Sequence, residues 1–269
     1  MQACTEHIIR ETRLMEEAGI DARMRRRVAR LGLDGMSMSF APTQGPAVRS
    51  TLLHAQAIGA DYTFSDGHTQ KTGTIGHIGC TSFYPSKNLG CYGDGGAIYT
   101  NDDALAEKCR MIANHGQTKR YYHDLVGVNS RLDSIQAAIL EIKLRHLDEY
   151  AAARQAAAAF YDATLAGLPN ITIPARQHNS THVFHQYTLL VKNDQRDALQ
   201  AHLQELRIPT MIYYPVPLYA QKAYRDAMTH KIDHLPVTDA LCKSVLSLPM
   251  HTELDEDTLG YICEGVVRF

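Results

Sequence analysis

The sequence predicts an α/β protein whose C-terminal part forms a second, smaller α+β domain. Two strand-like runs, residues 78–83 and 97–100, flank a glycine-rich loop, and apolar residues at helical spacing then predict one long helix from about residue 129 to Leu165. The last third alternates strand-like and helical segments, which is typical of a small α+β domain. We therefore divide the chain into an atypical segment 1–50, a larger domain 51–165 and a smaller domain 166–269.

The first fifty residues differ from the rest in composition. They contain eight arginines and no lysine. Residues 5–31 have an imperfect apolar stripe at helical spacing and a basic cluster at Arg23 to Arg30, and residues 34–50 are rich in turn formers and are interpreted as a linker. A basic cluster is typical of nucleic-acid binding, but also of a solvated helix face or an unstructured arm. We favour a solvated helix face or an unstructured arm, and we therefore expect no nucleic-acid partner.

Whole-chain composition narrows the class of protein. The net charge is −2, and 45% apolar with 21% charged residues is ordinary for a soluble globular protein. No apolar run reaches about 18 residues, and the N-terminus lacks the apolar core of a secretory signal, so we expect no membrane contact and a cytoplasmic protein. The six cysteines form no C-x-x-C pair, and neither they nor the histidines have convincing metal-ligand spacing. We expect no metal site.

The glycine-rich loop carries the strongest functional signal. It reads TSFYPSKNLGCYGDGG over residues 81–96 and places Lys87 among aromatic, apolar and hydroxyl side chains. Such neighbours favour the neutral amine, which a lysine needs to form a Schiff base, and Ser82 and Ser86 supply hydroxyls for a phosphate. The alternative is a glycine-rich turn with an exposed lysine. Cys91 is interpreted as a small buried thiol.

Two further segments contain polar residues with more than one interpretation. Asn101 is expected to cap a helix over residues 102–114. Asn129 opens the long helix either as its cap or as a ligand-binding amide, and Arg131 is either a surface partner of Asp133 or Glu141 or an anion-binding side chain.

The last third contains an aromatic and proline-rich loop between regular elements. Residues 187–192 and 211–214 are strand-like, and residues 194–206 have leucines on one helical face. The loop, YYPVPLY over residues 213–219, is interpreted either as a packed loop or as a ligand-covering one.

These motifs together resemble the DegT/DnrJ/EryC1/StrS aminotransferases, which are pyridoxal-phosphate-dependent sugar aminotransferases. The resemblance extends from Ala55 to Phe269, about four-fifths of the chain, and rests on SFYPSKNLG, YGDGGAIYTNDD, VGVNSRLDSIQAAIL and YYPVPL. It implies the aspartate-aminotransferase fold (pyridoxal-phosphate fold type I), with the larger domain truncated at its N-terminal side.

The resemblance also implies a set of site residues. Lys87 is the residue that links covalently to pyridoxal 5'-phosphate, Ser82 binds its phosphate and Gln56 lies near its ring. Asn129 reaches across a homodimer interface to the neighbour's cofactor phosphate, so that the two copies share an active site. Arg131, Tyr214 and Tyr219 are the implied substrate contacts. The implied reaction is amination of a nucleotide-linked keto sugar, a UDP-3-keto sugar or uronate, with glutamate as donor.

Two departures from the family pattern favour an alternative. Where the family has Glu-Asp-x-Ala-Gln-Ala, with the aspartate paired to the pyridine nitrogen, this chain has LLHAQA and Leu53 at the aspartate position. The family's phosphate-binding glycine-threonine loop is also absent from the sequence. The alternative is a catalytically inactive remnant of such an enzyme. A sugar dehydratase of the same family is disfavoured, because those proteins replace the lysine by histidine.

Overall fold

The computed structural model of the protein describes Leu52–Leu53, residues 56–225 and residues 234–269. The predictions for residues 1–50 lie outside these ranges. The chain divides into two compact units. The first holds the described residues up to Leu147 together with Asn179–Thr181, and the second holds Asp148–His178 and the described residues from His182 to Phe269. The domain limits 51–165 and 166–269 stay a prediction.

The first unit is built on a small mixed sheet. Strand β1 (Leu52–Leu53) is parallel to β4 (Gly79–Ser82), and β4 is antiparallel to β5 (Gly96–Tyr99), in the order β1-β4-β5. Ser82 pairs with Gly96, so the loop that contains Lys87 joins two neighbouring strands at one end of the sheet. Two hairpins complete the strands of this unit: β2 (Asp61–Thr63) with β3 (Thr69–Lys71), and β6 (Gln117–Lys119) with β7 (Tyr122–His123).

Helix α1 (Asp103–Ala113) follows β5, and its N-terminus differs from the prediction. The cap is Asp102, whose side chain accepts the Leu105 N–H at 3.0 Å, so the assignment of Asn101 as the cap was wrong. An aspartate accepts from backbone donors as well as an asparagine does, and neighbouring cap formers make the boundary ambiguous by one residue.

The predicted long helix is two helices. Helix α2 (Ser134–Leu144) and helix α3 (Leu147–Leu165) are separated by Arg145 and His146. The His146 N–H donates to the Lys143 carbonyl at 3.0 Å, a three-residue closure that tightens the last turn of α2. The break contains no proline or glycine, so the sequence carries no breaker signal there.

The second unit has an antiparallel sheet covered by helices. Its strand order is β10-β9-β8, from β8 (Ile171–Thr172), β9 (Tyr187–Val191) and β10 (Val245–Leu248). The predicted strand over residues 211–214 is reduced to a single bridge between Met211 and Ser247. The helices are α4 (Arg196–Glu205), α5 (Lys222–Arg225), α6 (Pro236–Ser244) and α7 (Glu256–Val267), with a 3-10 turn at Leu218–Ala220.

The core of the second unit is formed by α3, the sheet, α4 and α7. Fully buried side chains from each of these elements meet there: Tyr161, Leu165, Tyr187, Leu189, Leu199, Leu203, Leu246 and Cys263. The alternating burial of β9 gives one face to this core, as the period of two in a strand requires. In the part of the chain that the structure describes, no helix is long and apolar enough to cross a membrane.

Candidate active site

The loop between β4 and β5 is closed by its own backbone. The Cys91 N–H donates to the Phe83 carbonyl at 2.8 Å, so residues 84–90 form a closed turn with Lys87 within it. Inside the turn the Lys87 N–H donates to the Tyr84 carbonyl at 2.8 Å. The Lys87 side chain is half-buried, and the exposed-lysine alternative therefore does not describe this position.

Cys91 is a structural thiol. Its side chain is 0% exposed, as predicted, and its Sγ lies 3.0 Å from the carbonyl oxygens of both Phe83 and Gly93. As a weak donor shared between these two carbonyls, the thiol joins the start of the loop to its end. Cys91 also packs with Phe83 and Leu89 in the apolar cluster of the first unit.

Two glycines allow the loop to fold this tightly. A Cβ at Gly90 would lie 2.4 Å from the Pro85 carbonyl oxygen, and a Cβ at Gly95 would lie 2.9 Å from Cδ1 of Leu132. Real Cβ atoms do not approach other atoms so closely, and any other residue at Gly90 would push the turn open. Gly90 thus allows close packing within the loop, and Gly95 allows the close approach of Leu132 to the loop.

Ser82 is placed at the end of β4, directly before the turn. Its half-buried Oγ accepts the Tyr84 N–H at 3.3 Å and so keeps its own proton for donation to another group. The neighbouring Thr81 hydroxyl is buried and has no hydrogen-bond partner among the residues that the structure describes. Gln56 is half-buried in the turn region that follows β1. The loop therefore combines one primary amine with hydroxyl donors.

A second polar cluster in the first unit contains Asn129 and Arg131. Nε of Arg131 donates to Oδ1 of Asn129 at 3.1 Å, and Nη1 of Arg131 donates to Oδ1 of Asn114 at 3.3 Å. A single β-bridge between Asn114 and Asn129 brings the three residues together. Asn114, the residue after the C-terminal end of α1, was missed by sequence reasoning, because no local pattern links it to Arg131.

The prediction that Asn129 caps the helix was wrong, and Glu141 has another partner than the one expected. Asn129 does not cap the following helix, because the cap of α2 is Asp133. Glu141, one of the surface partners expected for Arg131, instead accepts from Arg145 at 2.8 Å, four residues further along the same helix. Both Asn129 and Arg131 are exposed. Asn129 and Arg131 thus form a polar pair that is open to solvent or to a ligand.

The predicted substrate residues of the C-terminal third lie in the second unit. Tyr214 is half-buried, with its ring centroid 5.6 Å from that of Tyr213 at an interplanar angle of 74°. The Tyr219 hydroxyl donates to the carboxylate of Asp239, which also contacts His234. This hydrogen bond raises the pKa of Tyr219 and lowers the pKa of Asp239. Asp239 had no signal in the sequence, because it lies 20 residues away on another element.

The predicted site residues therefore fall into three groups. Lys87 in the closed turn, Ser82 directly before it and Gln56 after β1 belong to the first unit. Asn129 and Arg131 belong to the second polar cluster of the first unit, and Tyr214 and Tyr219 belong to the second unit. Among the described residues no group of three or more histidine, cysteine, aspartate or glutamate side chains is arranged to hold a metal ion.

Comparison with known proteins extends this description. The sequence profile of the DegT/DnrJ/EryC1/StrS aminotransferase family matches residues 54–267. The UDP-2-acetamido-2-deoxy-3-oxo-D-glucuronate aminotransferase of Pseudomonas aeruginosa is 46% identical over 214 residues, which cover 80% of this chain and 56% of that protein. The dTDP-3-amino-3,4,6-trideoxy-alpha-D-glucose transaminase of Streptomyces venezuelae is 42% identical, with 79% of this chain and 54% of that protein covered.

A solved structure agrees with the sequence matches. A DegT DnrJ EryC1 StrS aminotransferase from Brucella abortus superimposes with a TM-score of 0.73 at 38% identity, over 81% of this chain and 56% of that one. The chain thus spans little more than half the length of the relatives it matches. The family resemblance and the fold class predicted from the sequence are confirmed. The chain belongs to the DegT/DnrJ/EryC1/StrS aminotransferase family, whose members are pyridoxal-phosphate-dependent enzymes of the aspartate-aminotransferase fold.

Proposed function

We propose that the protein transfers an amino group from glutamate to carbon 3 of a nucleotide-linked keto sugar, with pyridoxal 5'-phosphate held at Lys87. The observation that carries the proposal is the half-buried position of Lys87 in a closed loop, within a sequence that matches the family. The names of the two relatives above both refer to carbon 3 of a hexose, one linked to UDP and one to dTDP. We favour a UDP-linked sugar or uronate, since the UDP relative has the higher identity of the two.

The donor set of the closed loop fits the aldehyde and the phosphate of this cofactor. Lys87 supplies the amine for the aldehyde. Ser82, whose Oγ accepts the Tyr84 N–H, donates a hydroxyl hydrogen bond to a phosphate oxygen. Gln56 is assigned to the edge of the ring. When bound, the cofactor supplies an electron sink that stabilises a carbanion at the carbon bearing the amino group.

In this scheme Lys87 has two roles. It would hold the cofactor, and its Nζ would act as general base and acid. Nζ takes the proton from the carbon that bears the donor's amino group and later delivers a proton to the sugar carbon. Lys87 lies in the half-buried part of the loop, close in sequence to the hydroxyl of Ser82 at the end of β4.

The second polar cluster, formed by Asn114, Asn129 and Arg131, is assigned to anion binding in a homodimer with a shared active site. Because Oδ1 of Asn129 accepts from Arg131, the amide nitrogen of Asn129 faces away from the arginine and can donate to the cofactor phosphate of a second copy. Arg131 is assigned to a carboxylate or phosphate of the substrate, for which its planar fork is suited. Tyr214 and Tyr219 are assigned to the sugar nucleotide, with Tyr219 offering its ring because Asp239 holds its hydroxyl.

A second candidate, the catalytically inactive remnant, is favoured by one observation. Leu53, in β1 and paired with Cys80 of β4, occupies the position of the family's aspartate and has no carboxylate to keep the cofactor's ring nitrogen protonated. Without that ion pair the electron sink is weaker, whereas covalent capture at Lys87 does not require it.

The first experiment, reductive labelling, tests whether Lys87 captures the cofactor. The purified chain is mixed with pyridoxal phosphate, its visible spectrum is recorded, and borohydride reduction is followed by peptide mapping. We expect a visible absorbance band and a label on Lys87, with both lost in Lys87→Ala. A label spread over exposed lysines, with no band, would contradict the proposal and support the remnant.

Turnover is tested only after labelling succeeds. The loaded chain is given glutamate, and conversion of the absorbance band is followed; UDP- and dTDP-linked 3-keto sugars are then offered as acceptors. Labelling at Lys87 without any response to glutamate or acceptor would again support the remnant. Leu53→Asp is expected to strengthen cofactor retention, which a gel-filtration assay of bound chromophore measures.

A further inference from the structure

Helix α2 contacts the segment that closes the Lys87 loop. Oε1 of Gln136 accepts the Tyr92 N–H at 2.8 Å, and Nζ of Lys143 donates to the Gly90 carbonyl at 2.7 Å. These bonds join residues 44 and 53 positions apart in the sequence, so they are tertiary contacts and not local turn geometry.

The two side chains lie on one face of the helix. Gln136 and Lys143 are seven residues apart, which is two helical turns, and Leu140 lies between them on the same face. Leu140 is buried in the apolar cluster that contains Leu89 and Cys91 of the loop. One face of α2 thus holds the loop by two hydrogen bonds at its ends and an apolar contact in the middle.

The loop is shaped to receive this helix. A Cβ at Gly93 would lie 3.2 Å from Nε2 of Gln136, so glycine allows the close approach of the amide. Nζ of Lys143 also lies 4.9 Å from the centre of the Tyr92 ring, within range of a cation–π contact. The backbone on the C-terminal side of the turn, residues 90–93, is therefore held by α2, while its N-terminal side continues from β4.

We propose that Gln136 and Lys143 are positioning residues for Lys87. They hold residues 90–92, and the Cys91 N–H bond to Phe83 passes that constraint on to the closed turn in which Lys87 lies. With the exit of the turn held, the Lys87 amine is kept at one place relative to Ser82, at the end of β4. This inference rests on the proposed function in so far as Lys87 is the cofactor-binding residue.

The test compares two substitutions at one position. Gln136→Glu keeps an oxygen that accepts the Tyr92 N–H, whereas Gln136→Leu has a similar size and no acceptor. Hydrogen exchange of the ligand-free chain, read on peptides covering residues 84–95, should be about fivefold to tenfold faster in Gln136→Leu and close to wild type in Gln136→Glu. Lys143→Met should behave like Gln136→Leu, and Lys143→Arg, which retains a donor, should lose less protection.

The second readout is the position of the pyridoxal phosphate label. We expect the fraction of label on Lys87 to fall severalfold in Gln136→Leu and Lys143→Met, and to be retained in Gln136→Glu. Glu141→Gln, on an exposed part of α2, is the matched control and should leave exchange and labelling unchanged. Equal exchange and labelling in Gln136→Leu and wild type would overturn the inference.

Failure of the proposed function gives a different result. If wild type itself does not label at Lys87, the cofactor assignment is wrong, and the exchange of residues 84–95 decides the inference alone. Faster exchange in Gln136→Leu but not in Gln136→Glu then supports α2 as the element that holds the loop, and no difference between these variants contradicts it.

Discussion

The two units of this chain differ in how much apolar surface they bury. Among the described residues, eighteen buried side chains form the core cluster of the second unit, and five form that of the first. In the first unit α1 has no buried residue and α2 has only Leu140, while Ile135 and Ile142 of α2 are 74% and 62% exposed. The candidate cofactor loop thus lies in the unit with the smaller core. Hydrogen bonds therefore contribute more to fixing the conformation of this loop.

An exposed apolar helix face of this kind fits the proposal that two copies share an active site. Apolar patches on a protein surface are typical of interaction sites, and α2 is apolar on several faces. The second unit has instead a larger core, which is built from helices and sheet. We therefore expect core mutations to have unequal effects in the two units.

The largest expected effect is that of Leu203→Ala in the second unit. Leu203 is 0% exposed in α4, and removing its branched side chain leaves a cavity that should lower the free energy of unfolding by about 4 kcal/mol. Leu140→Ala, the matched change in the first unit, should cost less, about 2 kcal/mol, because the small cluster can relax around it.

Urea denaturation followed by circular dichroism measures both variants. Both variants are also labelled with pyridoxal phosphate, at urea concentrations where they are folded. Leu140→Ala should reduce labelling at Lys87, whereas Leu203→Ala should not. Equal losses of stability in both variants would remove the distinction between the two cores.

The next effect is a pH dependence within the second unit. Burial, with a smaller contribution from the charge of Arg176, lowers the pKa of His182 from 6.5 to about 4. Its Nδ1 accepts the Phe184 N–H at 3.0 Å, which a protonated nitrogen cannot do. As the pH falls, His182 therefore binds a proton in the unfolded chain before it does so in the folded chain. The contribution of the neutral histidine to the free energy of unfolding is present above pH 6.5 and is lost as the pH falls towards 4.

The expected loss between pH 7 and pH 4 is about 2 to 3 kcal/mol from this histidine. His182→Asn provides the matched variant, because an asparagine oxygen can accept the same N–H and does not titrate in this range. Denaturation midpoints are measured at several pH values. As the pH is lowered from 7 to 4, the midpoint should fall more steeply in wild type than in His182→Asn. Parallel curves for the two proteins would show that His182 does not contribute the dependence.

The sequence predicted the parts of the fold and site that depend on local patterns. The strands on either side of Lys87, the long helical region and the burial of Cys91 all follow from residue spacing over a few positions. The break at Arg145 and His146 was missed because nothing local requires it. The contacts of Gln136, Lys143 and Asp239 join distant segments, and no spacing rule on a single chain identifies such partners.

The roles assigned to site residues divide in the same way. Ser82 and Lys87 share one motif, so their proximity followed from the sequence, and their cofactor roles stay predictions. Arg131 and Asn129 are also neighbours in sequence, but the third member of their cluster, Asn114, is 17 residues away from Arg131 and became visible only in the structure.

The smallest expected effects come from two helix caps that have the same chemistry in the two units. Asp102 accepts the Leu105 N–H at 3.0 Å at the start of α1, and Asp255 accepts the Thr258 N–H at 2.8 Å at the start of α7. Asp255→Ala should lower the thermal midpoint by about 3 °C. Because α7 packs into the core, loss of its cap destabilises the whole unit.

Asp102→Ala removes an equivalent bond from a helix that has no fully buried residue, so the effect should stay local. We expect roughly fivefold faster hydrogen exchange in the first turn of α1 and no shift of the thermal midpoint. A midpoint shift as large as that of Asp255→Ala would mean that α1 unfolds together with a larger cooperative core. In that case the first unit, and the Lys87 loop with it, would be more strongly supported than its buried surface indicates.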